Sequence, residues 1–211
     1  MLDDRGPSMG RLERLMFEVY DLVRRDGARI DEGGAGVAQA DYLEQLARTS
    51  GSTAIAEIGF NIGFSSLAFL ESSPAATVVS FELDRRPSVE LAKDFVDVRY
   101  PGRHELVVGD SRETVPLCEA DRFDLVYVDG GHDYEIAAAD IANAARVAKP
   151  GGLIVVDDLA PWHAWGEGPH QAWQEAVAAG LIDPIESFVD GQRVDVFAGP
   201  GVWAWGTGRF S

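Results

Sequence analysis

The chain reads as an α/β domain built on a mostly parallel sheet with helices on both faces. Three observations predict it. Short apolar runs at Thr53–Glu57, Thr77–Phe81, Glu105–Val108, Leu125–Val128 and Leu153–Val156 alternate with longer helical stretches. The runs are continuously apolar rather than alternating, as strands covered on both faces are. Each run ends beside acidic residues: Glu57-Ile58-Gly59, Glu82-Leu83-Asp84, Gly109-Asp110-Ser111, Asp129-Gly130-Gly131-His132 and Asp157-Asp158.

Taken in order, Met9 to Arg25 carries Leu12, Leu15, Met16, Val19, Leu22 and Val23 at three-four spacing, an amphipathic helix stopped by Gly27. A glycine-rich break, Asp31 to Gly36, precedes a second helix over Val37–Thr49, with Tyr42, Leu43 and Leu46 inward. Helices are expected between the strands at Ser65–Glu71, Pro87–Arg99, Ser111–Cys118 and Tyr134–Ala148, the last closed by Pro150-Gly151-Gly152. Ile185–Val189, Arg193–Ala198 and Val202–Gly206 read as β segments joined by Asp190-Gly191 and Gly199-Pro200-Gly201, an antiparallel hairpin completing the sheet. The expected organisation is a helical extension over residues 1–36 and a ligand-binding domain over 37–211, with no internal repeat.

Composition narrows the function. With 211 residues and 46% apolar content, the chain can bury one full core. The formal net charge of −17, from 35 acidic and 18 basic residues, disfavours a nucleic-acid partner, which would be repelled rather than bound by counterion release. No apolar run is long enough to span a bilayer, and Met1-Leu2-Asp3-Asp4 opens no secretory leader. A single cysteine, Cys118, allows no internal disulfide. A cytoplasmic protein is the expectation.

The strand-to-helix turn Glu57-Ile58-Gly59-Phe60-Asn61-Ile62-Gly63-Phe64-Ser65 is the strongest single signal. Gly59 allows a tight turn and Gly63 allows a ligand to approach the backbone. The N–H groups opening the next helix favour a carboxylate or a phosphate. In an open parallel sheet, ligands lie at the carboxyl ends of the strands, so the acidic strand ends form one rim. Glu82, 19 residues past Gly63, suits the two hydroxyls of a ribose. Asp110 suits an exocyclic amine, or caps a helix, as does Ser111. NAD remains compatible with these features, although the turn lacks G-x-G-x-x-G; no P-loop is present.

The turn, together with Phe123-Asp124-Leu125-Val126-Tyr127-Val128-Asp129-Gly130-Gly131-His132-Asp133-Tyr134-Glu135 and Pro150-Gly151-Gly152-Leu153-Ile154-Val155-Val156-Asp157-Asp158, resembles the class I methyltransferases that use S-adenosylmethionine. Within them it is similar to a small-molecule O-methyltransferase group that includes catechol-type and antibiotic-sugar enzymes. The resemblance covers about Val37 to Trp205 and implies a Rossmann-like, mostly parallel seven-stranded sheet. It implies that Gly59 and Gly63 hold the methionine end of the cofactor, with Glu57 near its amino group and Ser65 at its carboxylate. Asn61 and Asp129 join the cofactor-binding set, Glu82 binds ribose, and Asp110 and Ser111 sit by adenine.

The resemblance also implies an Mg²⁺ site at Asp129, Asp157 and Asp158, whose oxygen-only set favours that ion; read from the residues alone, the Asp-Asp pair could equally cap the next segment. His132 stands where catechol-type relatives carry a lysine base and some sugar-modifying relatives carry histidine; otherwise it is an ordinary loop histidine. The expected reaction is O-methylation of a small molecule, with a sugar hydroxyl of a glycosylated natural product as acceptor. A catechol or phenol acceptor and a non-catalytic adenosylmethionine-binding module are the alternatives. Pro161 to His170 reads either as a lid over the acceptor or as an aromatic staple, and Asp31–Gly36 as a second gate. Trp203 and Trp205 read as core. A homodimer through the N-terminal helices is an expectation taken from the relatives.

Overall fold

A computed structural model describes residues 10–30 and 36–211. The expected gate at Asp31–Gly36 lies outside the described residues except for Gly36, which caps a helix. Two helices open the fold, α1 (Arg11–Asp26) and α2 (Val37–Ser50). Then come β1 (Ala54–Ile58), α3 (Phe64–Ser72), β2 (Thr77–Glu82), α4 (Pro87–Arg99), β3 (His104–Val108) and a short α5 (Ser111–Thr114) that continues as a 3-10 turn over Val115–Leu117. The second half runs β4 (Phe123–Val128), α6 (Tyr134–Val147), β5 (Ala148–Val156), α7 (Glu167–Ala178), β6 (Ile182–Val189), β7 (Gln192–Val194) and β8 (Ala204–Phe210).

The strands form one sheet in the order β3-β2-β1-β4-β5-β8-β6-β7. The first five pair in parallel, and β8, β6 and β7 add antiparallel. The sheet therefore has eight strands rather than seven, because three-residue β7 extends the tail hairpin at the edge. Strand order reverses between β1 and β4, which opens a crevice at their carboxyl ends.

Side chains alternate between two cores. One face of the sheet packs Ile55, Leu125, Tyr127 and Val155 against α1 to α4; the other packs Ile58, Val126, Ile154 and Val156 against α6 and α7. Helix α1 joins the first core through Leu12, Met16, Val19 and Val23, whereas Leu22 is exposed. Trp205 is core, as expected, and stacks on Phe188 with centroids 5.1 Å apart.

Several elements differ from the sequence reading, β7 and β8 among them, which cover Gln192–Val194 and Ala204–Phe210 rather than Arg193–Ala198 and Val202–Gly206. Strand β5 begins at Ala148, so Pro150-Gly151-Gly152 lies within it, not before it. Helix α7 occupies part of the stretch read as lid or staple. Its buried side is Pro169, Ala172, Trp173 and Ala176, a face of mostly small residues with weak hydrophobic periodicity.

Candidate active site

The glycine turn is built by close backbone contact. The Gly59 N–H donates to Phe81 O at 2.8 Å and the Asp129 N–H to Ile58 O at 2.8 Å, stitching β1 between β2 and β4. Gly59 has φ +96°, and a Cβ there would lie 1.9 Å from the Asp129 carbonyl oxygen. No other residue fits. Gly63, at φ +76°, starts α3 and donates to Phe60 O at 2.7 Å.

Glu82 locks this turn to the end of β2. Its Oε2 accepts the N–H groups of Phe60 and Asn61 at 3.1 and 2.8 Å. Its Oε1 accepts the Leu83 N–H at 3.0 Å and Arg86 at 3.2 Å. Asp110 caps α5 through the Arg112 N–H at 2.9 Å and is gripped by the Arg112 guanidinium. Those side-chain bonds, then the backbone one, hold its carboxyl down to about 2. Asp110 thus caps a helix while also lining the cavity.

On the other side of the switch point, three carboxylates crowd together. Asp129 follows β4, and Asp157 and Asp158 follow β5. The Tyr127 hydroxyl donates to Asp157 Oδ2 at 2.7 Å and lies 3.2 Å from Asp129 Oδ2. Gln39 of α2 donates its Nε2 to the same Asp157 oxygen at 2.7 Å, and Asp157 Oδ1 takes the Asp158 N–H at 2.8 Å. Burial, then the neighbouring charges of Asp157 and Asp158, pushes the Asp129 carboxyl well above its usual range. Burial and Asp158 raise Asp157 to about 7. Asp158, at φ +61°, sits in a left-handed conformation uncommon outside glycine, and its Oδ2 lies 2.7 Å from His132 Nε2. Among the described residues no three His, Cys, Asp or Glu side chains already stand as a metal-holding group.

All these parts border one cavity of about 510 Å³. Of the residues singled out in the sequence, Gly59, Asn61, Ser65, Glu82, Asp110, Ser111, Asp129, His132, Asp157 and Asp158 line it. Gly63 does not line it; a Cβ there would press on the Phe60 ring. Glu57 does not line it: the side chain is fully buried one layer below, held by Ser66 and by Ser80 at 2.6 Å. Its place on β1 faces α3, whose Ser65 hydrogen-bonds the carboxylate and lines the cavity.

The aromatic loop divides its two expected roles. Trp162 Nε1 and His163 Nε2 both donate to Gly201 O, at 2.7 and 2.9 Å, stapling this loop to the segment before β8. Trp165 instead lines the cavity. So does Trp203, which is 47% exposed and not core as expected. Gln39, Tyr127, Arg86 and Arg112 were not singled out in the sequence. Tyr127 could have been, because it lies two residues before Asp129 on one face of a strand. Gln39 had no such signal, being 118 residues from its partner Asp157.

The matches to known proteins agree with this geometry. Residues 56–159 match the model of a methyltransferase domain. A catechol O-methyltransferase of Mycobacterium tuberculosis is 30% identical over 139 residues, covering 65% of this chain and 62% of the relative. The match therefore spans less than two thirds of that relative's length. An O-methyltransferase from Bacillus cereus, solved in complex with SAH, superposes with TM-score 0.75 at 16% identity, covering 100% of this chain and 94% of that one. TomG of Streptomyces achromogenes, an O-methyltransferase of tomaymycin synthesis solved with SAM, gives 0.71 at 19% identity over 100% and 92% of the two chains. At such identities the superpositions speak for the fold. Over residues 56–159 the chain is thus similar to a methyltransferase domain, and its fold is the one shared by these solved O-methyltransferases.

Proposed function

We propose that the protein is an S-adenosylmethionine-dependent O-methyltransferase that methylates a hydroxyl of a small molecule, with a sugar hydroxyl of a glycosylated natural product as the acceptor and Mg²⁺ assisting. One observation carries the reading: the glycine turn, Glu82, Asp110 and the His132–Asp158 pair border a single cavity along the strand ends. Six carboxylates border it, Glu82, Asp84, Asp110, Asp129, Asp157 and Asp158, against Arg86, Arg112 and His132. Such a rim attracts cations, and the methyl donor carries both a sulfonium and an ammonium.

The donor supplies an electrophilic methyl group. The chain must align the acceptor oxygen behind it, and alignment alone can lower a barrier by roughly 7–11 kcal/mol in well-oriented reactions. Glu82 and the closely approachable backbone of the Gly59 turn set the donor's position. Asp158 pairs with His132 at Nε2 and stabilises the imidazolium that forms when His132 takes the hydroxyl proton. Trp165 and Trp203 shield the reacting oxygen from water.

The donor set suits a hard divalent cation: burial and the neighbouring carboxylate charges raise the proton affinity of Asp129 and Asp157, and the cluster would gain from a counter-charge. Asp129, Asp157 and Asp158 would hold it, and it would lower the acceptor hydroxyl's pKa and fix its place. An aromatic diol is the second reading, favoured by the two indoles in the wall and by the name of the mycobacterial relative. A screen with labelled methyl donor separates them. Sugar acceptors turning over in Mg²⁺ and failing in chelator support the first reading; turnover of catechols alone supports the second.

A further inference from the structure

A row of polar side chains crosses the sheet beneath the glycine turn, and the reaction outlined above leaves it without a role. Glu57 on β1 and Ser80 on β2 are register partners, and His104 on β3 points to the same face. Ser80 Oγ lies 2.6 Å from Glu57 Oε1 and 2.9 Å from His104 Nε2. His104 Nδ1 lies 3.2 Å from Asp97 Oδ1 on α4, and Asp97 in turn pairs with Lys93. The side chains of Glu57, Ser80 and His104 have no exposed surface. The His104 ring also stacks on Phe60 of the turn, with centroids 5.1 Å apart.

Donor counting shows what the row does. Ser80 has one O–H and three neighbours that can accept it: Glu57, His104 and, at 3.1 Å, the Ser66 hydroxyl, which itself donates to Glu57. If Glu57 is ionised, Ser80 donates to it, so His104 must donate from Nε2 while Nδ1–H faces Asp97: the ring is an imidazolium. If His104 is neutral with Nδ1–H toward Asp97, Nε2 accepts the Ser80 proton and Glu57, as the acid, donates to Ser80. The two arrangements have the same total charge and differ by one proton. It moves from the Glu57 carboxyl to Ser80 Oγ as the Ser80 proton moves to His104 Nε2. Burial raises Glu57 to about 7, with the Ser66, Ser80 and Ser65 hydroxyls pulling it back and Glu82 adding to the rise. Burial lowers His104, with Asp97 and Glu105 opposing and Lys93 assisting. Both shifts favour the arrangement in which the two groups are uncharged in the empty site.

We propose that His104 is a positioning residue for the methyl donor: as the donor's ammonium settles at the glycine turn, the Glu57 proton passes through Ser80 to His104, and Glu57 becomes the counter-charge beneath that ammonium. This rests on the cofactor reading given under Proposed function. Ser65, which lines the cavity and lies beside Glu57, is the link between the buried carboxylate and the ligand. A full charge formed there needs no proton from or to water, because the chain stores it one strand away.

Titration calorimetry with S-adenosylhomocysteine at pH 6, in buffers of different ionisation enthalpy, counts the protons exchanged. His104→Gln keeps a donor toward Ser80 but cannot hold the proton. It should release close to one proton more than the wild type, and its affinity should fall about tenfold more per pH unit below the Glu57 titration. In a Glu57→Gln background that difference should vanish. In the wild type, which needs no variant to fold, the His104 imidazole ¹⁵N resonances should shift to the imidazolium position with S-adenosylhomocysteine and stay neutral with 5′-methylthioadenosine, which lacks the ammonium. Binding with a neutral His104 ring, or with equal proton counts in the two proteins, overturns the relay alone. Absence of any binding of S-adenosylhomocysteine overturns the cofactor reading and the relay with it.

Discussion

His132 Nε2 lies 2.7 Å from Asp158 Oδ2, across the cavity mouth from the glycine turn. The pair joins the loop after β4 to the loop after β5, and in the proposed reaction His132 is the base. His132→Ala should lower methyl transfer by about 10²–10⁴-fold, the usual range for a general base. Its affinity for S-adenosylhomocysteine should stay within a few fold. Single-turnover rates set beside calorimetric affinities check both; an equal fall in binding would place His132 on the cofactor rather than on the acceptor.

The carboxylate cluster has a stability signature. Asp129 and Asp157 have folded-state pKa values raised above the ordinary 3.8, Asp157 to about 7, chiefly by burial, then by Asp157 and Asp158 for the first and by Asp158 for the second. The native state then holds more protons than the unfolded chain between about pH 4 and 7, so stability is highest on the acid side and falls as pH rises through that window. The melting temperature of the ligand-free protein should drop from pH 5 to pH 8. One kcal/mol corresponds to about 2–4 °C for a chain of this size. Asp129→Asn should flatten the slope and raise the neutral-pH melting temperature while removing activity; calorimetric scans at several pH values decide.

Gly59 tolerates nothing larger. Alanine there would carry a positive φ and press its Cβ against the Asp129 carbonyl. Strain of about 1–3 kcal/mol and overpacking of a similar size should together cost about 3 kcal/mol or more. Chemical denaturation of Gly59→Ala reads the loss directly, and an unchanged midpoint would mean that the turn is not built as described.

Much of this was legible in the chain because buried parallel strands are apolar throughout and their ends are punctuated by acid and glycine. The rim positions Glu82, Asp110, Asp129 and Asp158 follow from that punctuation alone. Helix α7 was not legible: Gly166, Gly168 and Pro169 at its start read as loop, and its buried face holds small residues. Glu57 was placed by motif but buried by the fold, since its position in β1 faces α3. Trp203 and Trp205 alternate along the chain, and only tertiary packing tells that the first meets the cavity and the second the core.

Glu82 receives four hydrogen bonds from the chain, two of them from the turn. Glu82→Ala should loosen the turn and lose the ribose contact, weakening S-adenosylhomocysteine binding by at least tenfold, since hydrogen bonds to charged groups are worth about 1.5–3 kcal/mol. Hydrogen exchange at Phe60 and Asn61 should quicken in the same variant.

The most direct measurement is calorimetric titration of the wild-type protein and Glu82→Ala with S-adenosylhomocysteine, with NAD as the comparison ligand. A single site for S-adenosylhomocysteine, weakened by the substitution, and no heat with NAD is the predicted result. Heat with NAD alone, or binding of S-adenosylhomocysteine that ignores Glu82, would contradict the account.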